Sequence, residues 1–195
     1  MKRLLLILIL TLSFQNLTRA DDIRDFEIEG MSIGDSLLDY FSEGEIEENK
    51  NTNYYKNNKY TSIEFYENKK FKTYDSIEIN YLTKDNNYTI VSISGAIFCK
   101  KNFFKCSDLE KKIKSEISEQ FNDLEKNSYK GSHSADKSGN SKMSHNLFSY
   151  SNGDMIVIES INWSEKITQK NGWTDNINLS TRTNNFNKFL GIAFQ

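Results

Sequence analysis

Hydrophobic positions along this chain change period several times, and each change marks an element. Residues 4–14, LLLILILTLSF, are an apolar run behind Lys2 and Arg3. Such a run is too short to span a hydrocarbon core of about 30 Å, but it has the order of a secretory signal. Thr18-Arg19-Ala20 puts small residues ahead of a cut at Ala20/Asp21. The pattern predicts a signal peptide over 1–20 and one domain over 21–195, with an uncleaved anchor as the alternative. Residues 26–42, FEIEGMSIGDSLLDYFS, read as a short opening strand and a helix from near Ser32. Ser32 with Asp35 three later fits an N-terminal cap, and Ile33, Leu37, Tyr40 and Phe41 share a helical face. The polar stretch 43–59 reads as a loop.

Strict alternation then predicts strands over 60–66, 76–82 and 88–99, the last two joined by an Asp85-Asn86-Asn87 turn. Gly95 interrupts the apolar face of the third strand and suggests a bulge there. Leu109, Ile113, Ile117, Phe121 and Leu124 recur at helical spacing, and Ser107 with Glu110 repeats the cap signature, so a helix is expected from Ser107 to Leu124. Residues 125–144 have no apolar period and read as a long surface loop. Strands follow over 145–150, 155–163 and 173–182, with turns at 151–154 and Asn171-Gly172. Phe186, Phe189 and Leu190 before Gly191 form a short closing helical turn. The expected fold is α+β: two helices packed on one face of an antiparallel sheet, in the order α-β-β-β-α-β-β-β with that C-terminal turn.

At 195 residues the chain suits one domain, and 37% hydrophobic with 13% aromatic residues is too apolar for a disordered chain. A mean hydropathy of -0.65 excludes a polytopic membrane protein, and a net charge of -2 gives no electrostatic case for binding nucleic acid. The 23 Asn, 21 Lys and 20 Ile against 4 Ala, 4 Arg and no Pro point to a low-GC genome. The Asn content and the four N-x-S/T triplets are then background of codon usage. The only two cysteines, Cys99 and Cys106, stand seven apart. In an oxidising compartment they pair, the alternative being two buried thiols, and two Cys cannot close a four-ligand zinc site. These features place the protein in the periplasm or outside the cell, with no membrane span once the signal is cut.

Gly34-Asp35-Ser36-Leu37 resembles the nucleophile block of GDSL/SGNH hydrolases, and Gly30-Met31-Ser32-Ile33-Gly34 fits a G-x-S-x-G elbow. The resemblance implies a Ser nucleophile served by a downstream Asp-x-x-His. Here Lys130 and Lys142 stand three before the two His, the preceding FEIE alternates acid and apolar, and no β-α-β-α order follows. The capping reading of Ser32 and Asp35 competes directly, so Ser36 is a candidate nucleophile only in the alternative reading. His133, Asp136 and His145 could offer metal ligands, yet a calcium loop begun at Asp136 lacks the Gly and Glu its later positions require, so neither metal nor cofactor is expected. Tyr54, Tyr55, Tyr60 and Tyr66, with Lys56, Lys59, Lys69 and Lys70, form an aromatic and basic stretch. It suits either partner or sugar binding or a strand edge with aromatic cross-strand pairs.

FEIEGMSIGDSLLDYFS, together with NYYKNNKYTSIEFY, FKTYDSIEI and DMIVIESINWS, resembles a family of signal-bearing proteins from low-GC marine bacteria over most of the mature chain. That family has no established activity, so the resemblance implies export and an intact domain and carries over no site. Ile28-Glu29-Gly30-Met31-Ser32 is similar to the helix-start motif of small periplasmic modules of the outer-membrane-assembly lipoprotein and β-lactamase-inhibitor type. These are α+β and act by binding; here the spacing is one residue shorter and the lipid-bearing Cys is absent. The expectation is a non-catalytic exported module that binds an envelope protein or small ligand. The surface candidates are Tyr54, Tyr55, Tyr60, His133 and His145, on a sheet face or the 125–144 segment. The alternative is a small exported GDSL-like hydrolase using Ser36.

Overall fold

The computed structural model describes residues 22–51, 54–55, 57–66, 69–99 and 103–193. The expected signal peptide, the cut before Asp21 and Lys56 lie outside the described residues. Among the described residues, four helices, α1 (Glu43–Glu48), α2 (Phe103–Gln120), α3 (Glu165–Asn171) and α4 (Asn184–Ala193), accompany eight strands. The strands are β1 (Lys50–Asn51), β2 (Tyr60–Tyr66), β3 (Ser76–Leu82), β4 (Ile90–Phe98), β5 (Glu125–Ser132), β6 (Lys142–Ser149), β7 (Met155–Asn162) and β8 (Asn176–Arg182). They form one antiparallel sheet in the order β1-β2-β3-β4-β8-β7-β6-β5. The molecule is therefore mixed helix and sheet with sheet predominating. Two meanders join side by side where β8 pairs with both β4 and β7.

Alternation sends Ile63, Phe65, Ile77, Ile79, Ile93, Ile177 and Ile158 to one side, the inner face, where they form the main core. The expected pair of helices does not cover it. Helix α2 does so over β7 and β8, through Ile113, Ile117 and Phe121. Over the first meander the cover is the segment 23–41, through Ile28, Met31, Ile33, Leu37 and Phe41, with Phe41 stacked on Phe65 at 4.6 Å. The helix expected from Ser32 does not form. Gly34 takes a φ of 94°, which breaks a right-handed helix at its third residue, and only a 3-10 turn, Leu37–Asp39, follows. The α-helix comes later, in the expected loop, where Ser42 and Glu45 make a reciprocal capping box around Ile46.

The expected cap residues have other duties. The Asp35 carboxylate accepts the Ser32 N–H at 2.8 Å, but it closes a turn and not a helix start. Ser107 lies inside α2, which begins four residues earlier at Phe103. Glu110 accepts hydrogen bonds from Ser144 Oγ at 2.6 Å, Asn146 Nδ2 at 2.8 Å and Ser160 Oγ at 2.8 Å. Cys99 and Cys106 stand at disulfide distance, Cα to Cα 5.8 Å, tying the end of β4 to the first turns of α2. The bulge lies between β3 and β4 at Asn80/Tyr81 and not at Gly95, which stays in register beneath the Tyr74 ring.

The stretch 125–144 is no loop. Most of it is β5 and the start of β6, with a turn between them held by Asp136. That carboxylate accepts from Ser138 and Ser141 backbone N–H groups and from the hydroxyls of Ser138, Ser141 and Ser164. Among the described residues, no helix is long and apolar enough to cross a membrane.

Candidate functional site

The other side of the sheet, its outer face, receives the alternate residues of the same strands, and antiparallel register aligns them in rows across the sheet. One row runs Glu64, Glu78, Ser94, Ser180, Val157, Leu147, Asn127. The next runs Tyr66, Ser76, Ala96, Asn178, Glu159, His145, Tyr129, crossing seven strands. Beside them Ser62, Asn80, Ser92 and Arg182 form part of a third row. Tyr55, Tyr60, Phe186 and Phe189 form an apolar cluster that brings α4 against this side, and Tyr55 Oη donates to Asn80 Oδ1 at 2.8 Å. Ala96, Asn178, Glu159 and His145, further along the strands, are partly exposed.

Charge on this face is held close and imperfectly paired. Glu64 and Glu78 stand directly opposite each other on β2 and β3, a like-charge pairing that disfavours the sheet. Burial pushes the Glu78 carboxyl above its usual range, and the Glu64 charge adds to this against the hydrogen bond from Asn80. Tyr54 and Tyr66 stand near the same pair; the Glu78 charge chiefly raises the Tyr54 hydroxyl, and burial followed by Glu64 raises that of Tyr66. The Arg182 guanidinium feels both Glu78 and Glu159, yet no side-chain hydrogen bond or ion pair ties it to a described residue. Across the sheet, His145 Nε2 lies 2.8 Å from Glu159 Oε2. The contact is too far out of line with the ring N–H to count as a directed hydrogen bond, so that nitrogen has no directed partner. Burial opposes ionised Glu159, but His145, with Arg182 and His133, outweighs it and holds the carboxyl below its usual range.

Aromatic rings border this strip. His133 packs on Trp163 at 4.5 Å between centroids, and Trp163 on Trp173 at 4.5 Å. Burial pushes the His133 imidazole below its usual range. Tyr129 lies over Gly131 on the edge strand β5 and stays 59% exposed. All five surface candidates thus fall on the outer face, Tyr54, His133 and His145 at the strip and Tyr55 and Tyr60 beside α4.

Ser36 lies elsewhere. It caps the 3-10 turn, its Oγ donating to Asn87 O at 2.7 Å and accepting from Leu38 N at 3.2 Å, and no described base touches it. Asp136 is occupied by its serines, and the described residues hold no group of three or more His, Cys, Asp or Glu able to bind a metal ion. Sequence reasoning passed over Glu64, Glu78, Asn178, Glu159 and Arg182. The signal was present, because each occupies an outward position of a predicted strand, but only the strand order shows that these positions adjoin. The strip offers carboxylates, a guanidinium without an ion pair and the Asn178 amide beside exposed rings, while Ser62, Ser76, Ser92, Ser94 and Ser180 on the same face are buried. No family model, curated protein or solved structure matches the chain.

Proposed function

We propose that the protein is an exported, non-catalytic binding module, periplasmic or secreted, whose outer sheet face holds a small polar ligand. The observation that carries this reading is Arg182. It is a guanidinium on a face of serines and asparagines, set between two glutamates and paired with neither. Together with the opposed Glu64 and Glu78, it is an arrangement that folding does not require, and such departures gather at functional surfaces. Export is supported by the charged and apolar start of the chain, by the resemblance to signal-bearing proteins, and by a cysteine pair at bonding distance. The satisfied hydroxyl of Ser36 gives the hydrolase reading no support.

Intact-mass analysis of the exported product tests the compartment: a chain starting at Asp21 is expected, and recovery from membranes of a chain starting at Met1 rejects it. The binding surface is tested by adding the dialysable fraction of an envelope extract to the isotope-labelled protein and following backbone amide resonances. Shifts centred on Glu78, Asn178 and Glu159 are expected. Shifts confined to the neighbourhood of Ser36, with labelling of Ser36 by a fluorophosphonate, would replace the module with a hydrolase.

A further inference from the structure

The reading of the outer face as a binding surface, on which this step rests, leaves the ligand's chemistry to be found. Glu64, Glu78 and Glu159 stand there with one guanidinium, that of Arg182, and the His145 imidazole. A polyanion would meet carboxylates along the whole strip. An extended peptide would find the backbone groups of these inner strands already used in the ladder, so it could not add as a strand. A ligand rich in neutral hydroxyl groups meets neither obstacle: its hydroxyls donate to carboxylates and accept from amide and guanidinium groups.

The aromatic side chains agree with that chemistry. The exposed aromatics among the described residues are Tyr40, Tyr54, Tyr66, Tyr129 and Trp173. Tyr54 stands over the Glu64/Glu78 pair, Tyr66 and Tyr129 end the row, and Trp173 stacks on Trp163 at its margin. Tyr129 is posed in a particular way. A Cβ at position 131 would sit 2.3 Å from Tyr129 Oη and 2.7 Å from Cζ, so a side chain there would displace the tip of a ring that now lies along the strand over the glycine. A ring lying on the sheet with one face to solvent is a stacking surface for the C–H face of a sugar. The row from Tyr66 to Tyr129 spans six strand spacings, roughly 29 Å at about 4.8 Å each, the reach of several linked sugar rings.

We infer that the outer face binds a neutral linear oligosaccharide laid across the strands between Tyr66 and Tyr129, with Tyr129 as a stacking platform posed by Gly131. The test is titration of the isotope-labelled protein with hexasaccharides and disaccharides of β-1,4-glucan, β-1,3-glucan and chitin, and with spermidine. One hexasaccharide is expected to shift Tyr66, Asn178 and Tyr129 and to bind about tenfold or more tighter than its disaccharide. Gly131→Val, which keeps every hydrogen-bonding group but lifts the ring, is expected to weaken it about tenfold. Tyr129→Ala is the companion variant should Gly131→Val disturb β5, and is expected to do the same. Equal affinity for disaccharide and hexasaccharide, or unchanged binding by both variants, overturns the inference. Shifts on the same face by spermidine alone replace the sugar with a cationic ligand and leave the binding surface standing. Silence toward every probe rejects the surface as well.

Discussion

Strands β2, β3 and β4 show one backbone two different chemistries. Toward the inner face they send Ile63, Phe65, Ile77, Ile79 and Ile93, none more than 3% exposed. Toward the outer face the intervening positions are Ser62, Glu64, Glu78, Asn80, Ser92 and Ser94. Each fully buried isoleucine contributes about 1.5–3 kcal/mol by leaving water. On the outer side Ser62, Asn80, Ser92 and Ser94 are buried too but polar, and the Glu64/Glu78 pair costs about 0.2–1 kcal/mol. The inner side thus carries the main core, while the outer side, away from the Tyr55, Tyr60, Phe186 and Phe189 cluster, keeps charges that folding would not select. The inner face is not uniform either. Over β6 and β7 it turns polar, and Glu110 of α2 gathers Ser144, Asn146 and Ser160.

The contrast fails if the inner face can be cut without loss. Ile79→Ala, at a site with 0% exposure, is expected to lower stability by about 2–5 kcal/mol in urea unfolding. Glu110→Ala probes the polar part of the same face. It removes the acceptor shared by Ser144, Asn146 and Ser160, of which the two serine hydroxyls still meet each other at 2.8 Å, and is expected to cost about 1–3 kcal/mol, with Glu110→Gln recovering part of it.

Acid sharpens the contrast in another way, through the turn that carries His133. Hydrogen bonds from Ser138, Ser141 and Ser164 hold the Asp136 carboxyl well below its ordinary 3.8. The unfolded chain therefore takes up that proton first as pH falls. The contribution of Asp136 is complete above the ordinary value and is lost below it, as pH descends toward the lowered one. Melting temperatures measured from pH 5 downward should fall more steeply for the native protein than for Asp136→Asn, and parallel curves would refute this. The smallest effect is a gain: Glu64→Gln should raise stability by about 0.2–1 kcal/mol while ligand binding at the outer face weakens. A loss of stability would mean that the opposed glutamates are not in conflict.

What the sequence made legible follows from where apolar residues keep to one side. In strands 60–66 and 76–82 Ile63, Phe65, Ile77 and Ile79 fall on the side of the main core, though much of the other side is buried as well, and α2 shows its face through Ile113, Ile117 and Phe121. Strand β5 was invisible for the opposite reason: Glu125 to Lys130 are exposed, so no apolar period exists to read. Ile33, Leu37 and Phe41 have helical spacing but reach the core from an irregular segment, because spacing does not register the φ of Gly34. The S-x-x-E pattern at Ser107 occurs within a helix as readily as at its start. Of the site, the tyrosines and histidines stood out by type, whereas Glu78, Glu159 and Arg182 became neighbours only through a strand order that no local pattern encodes.

That strand order also sets a timetable. The first meander and the second meet only through β8, whose partners on β4 lie far back in the chain, as in Gly95 opposite Leu179. Until β8 is in place each half-sheet presents an unfilled border, and the long loop closure that joins them slows the final step. The sheet therefore cannot be completed before β8, the last strand in the sequence, is available to pair with both β4 and β7.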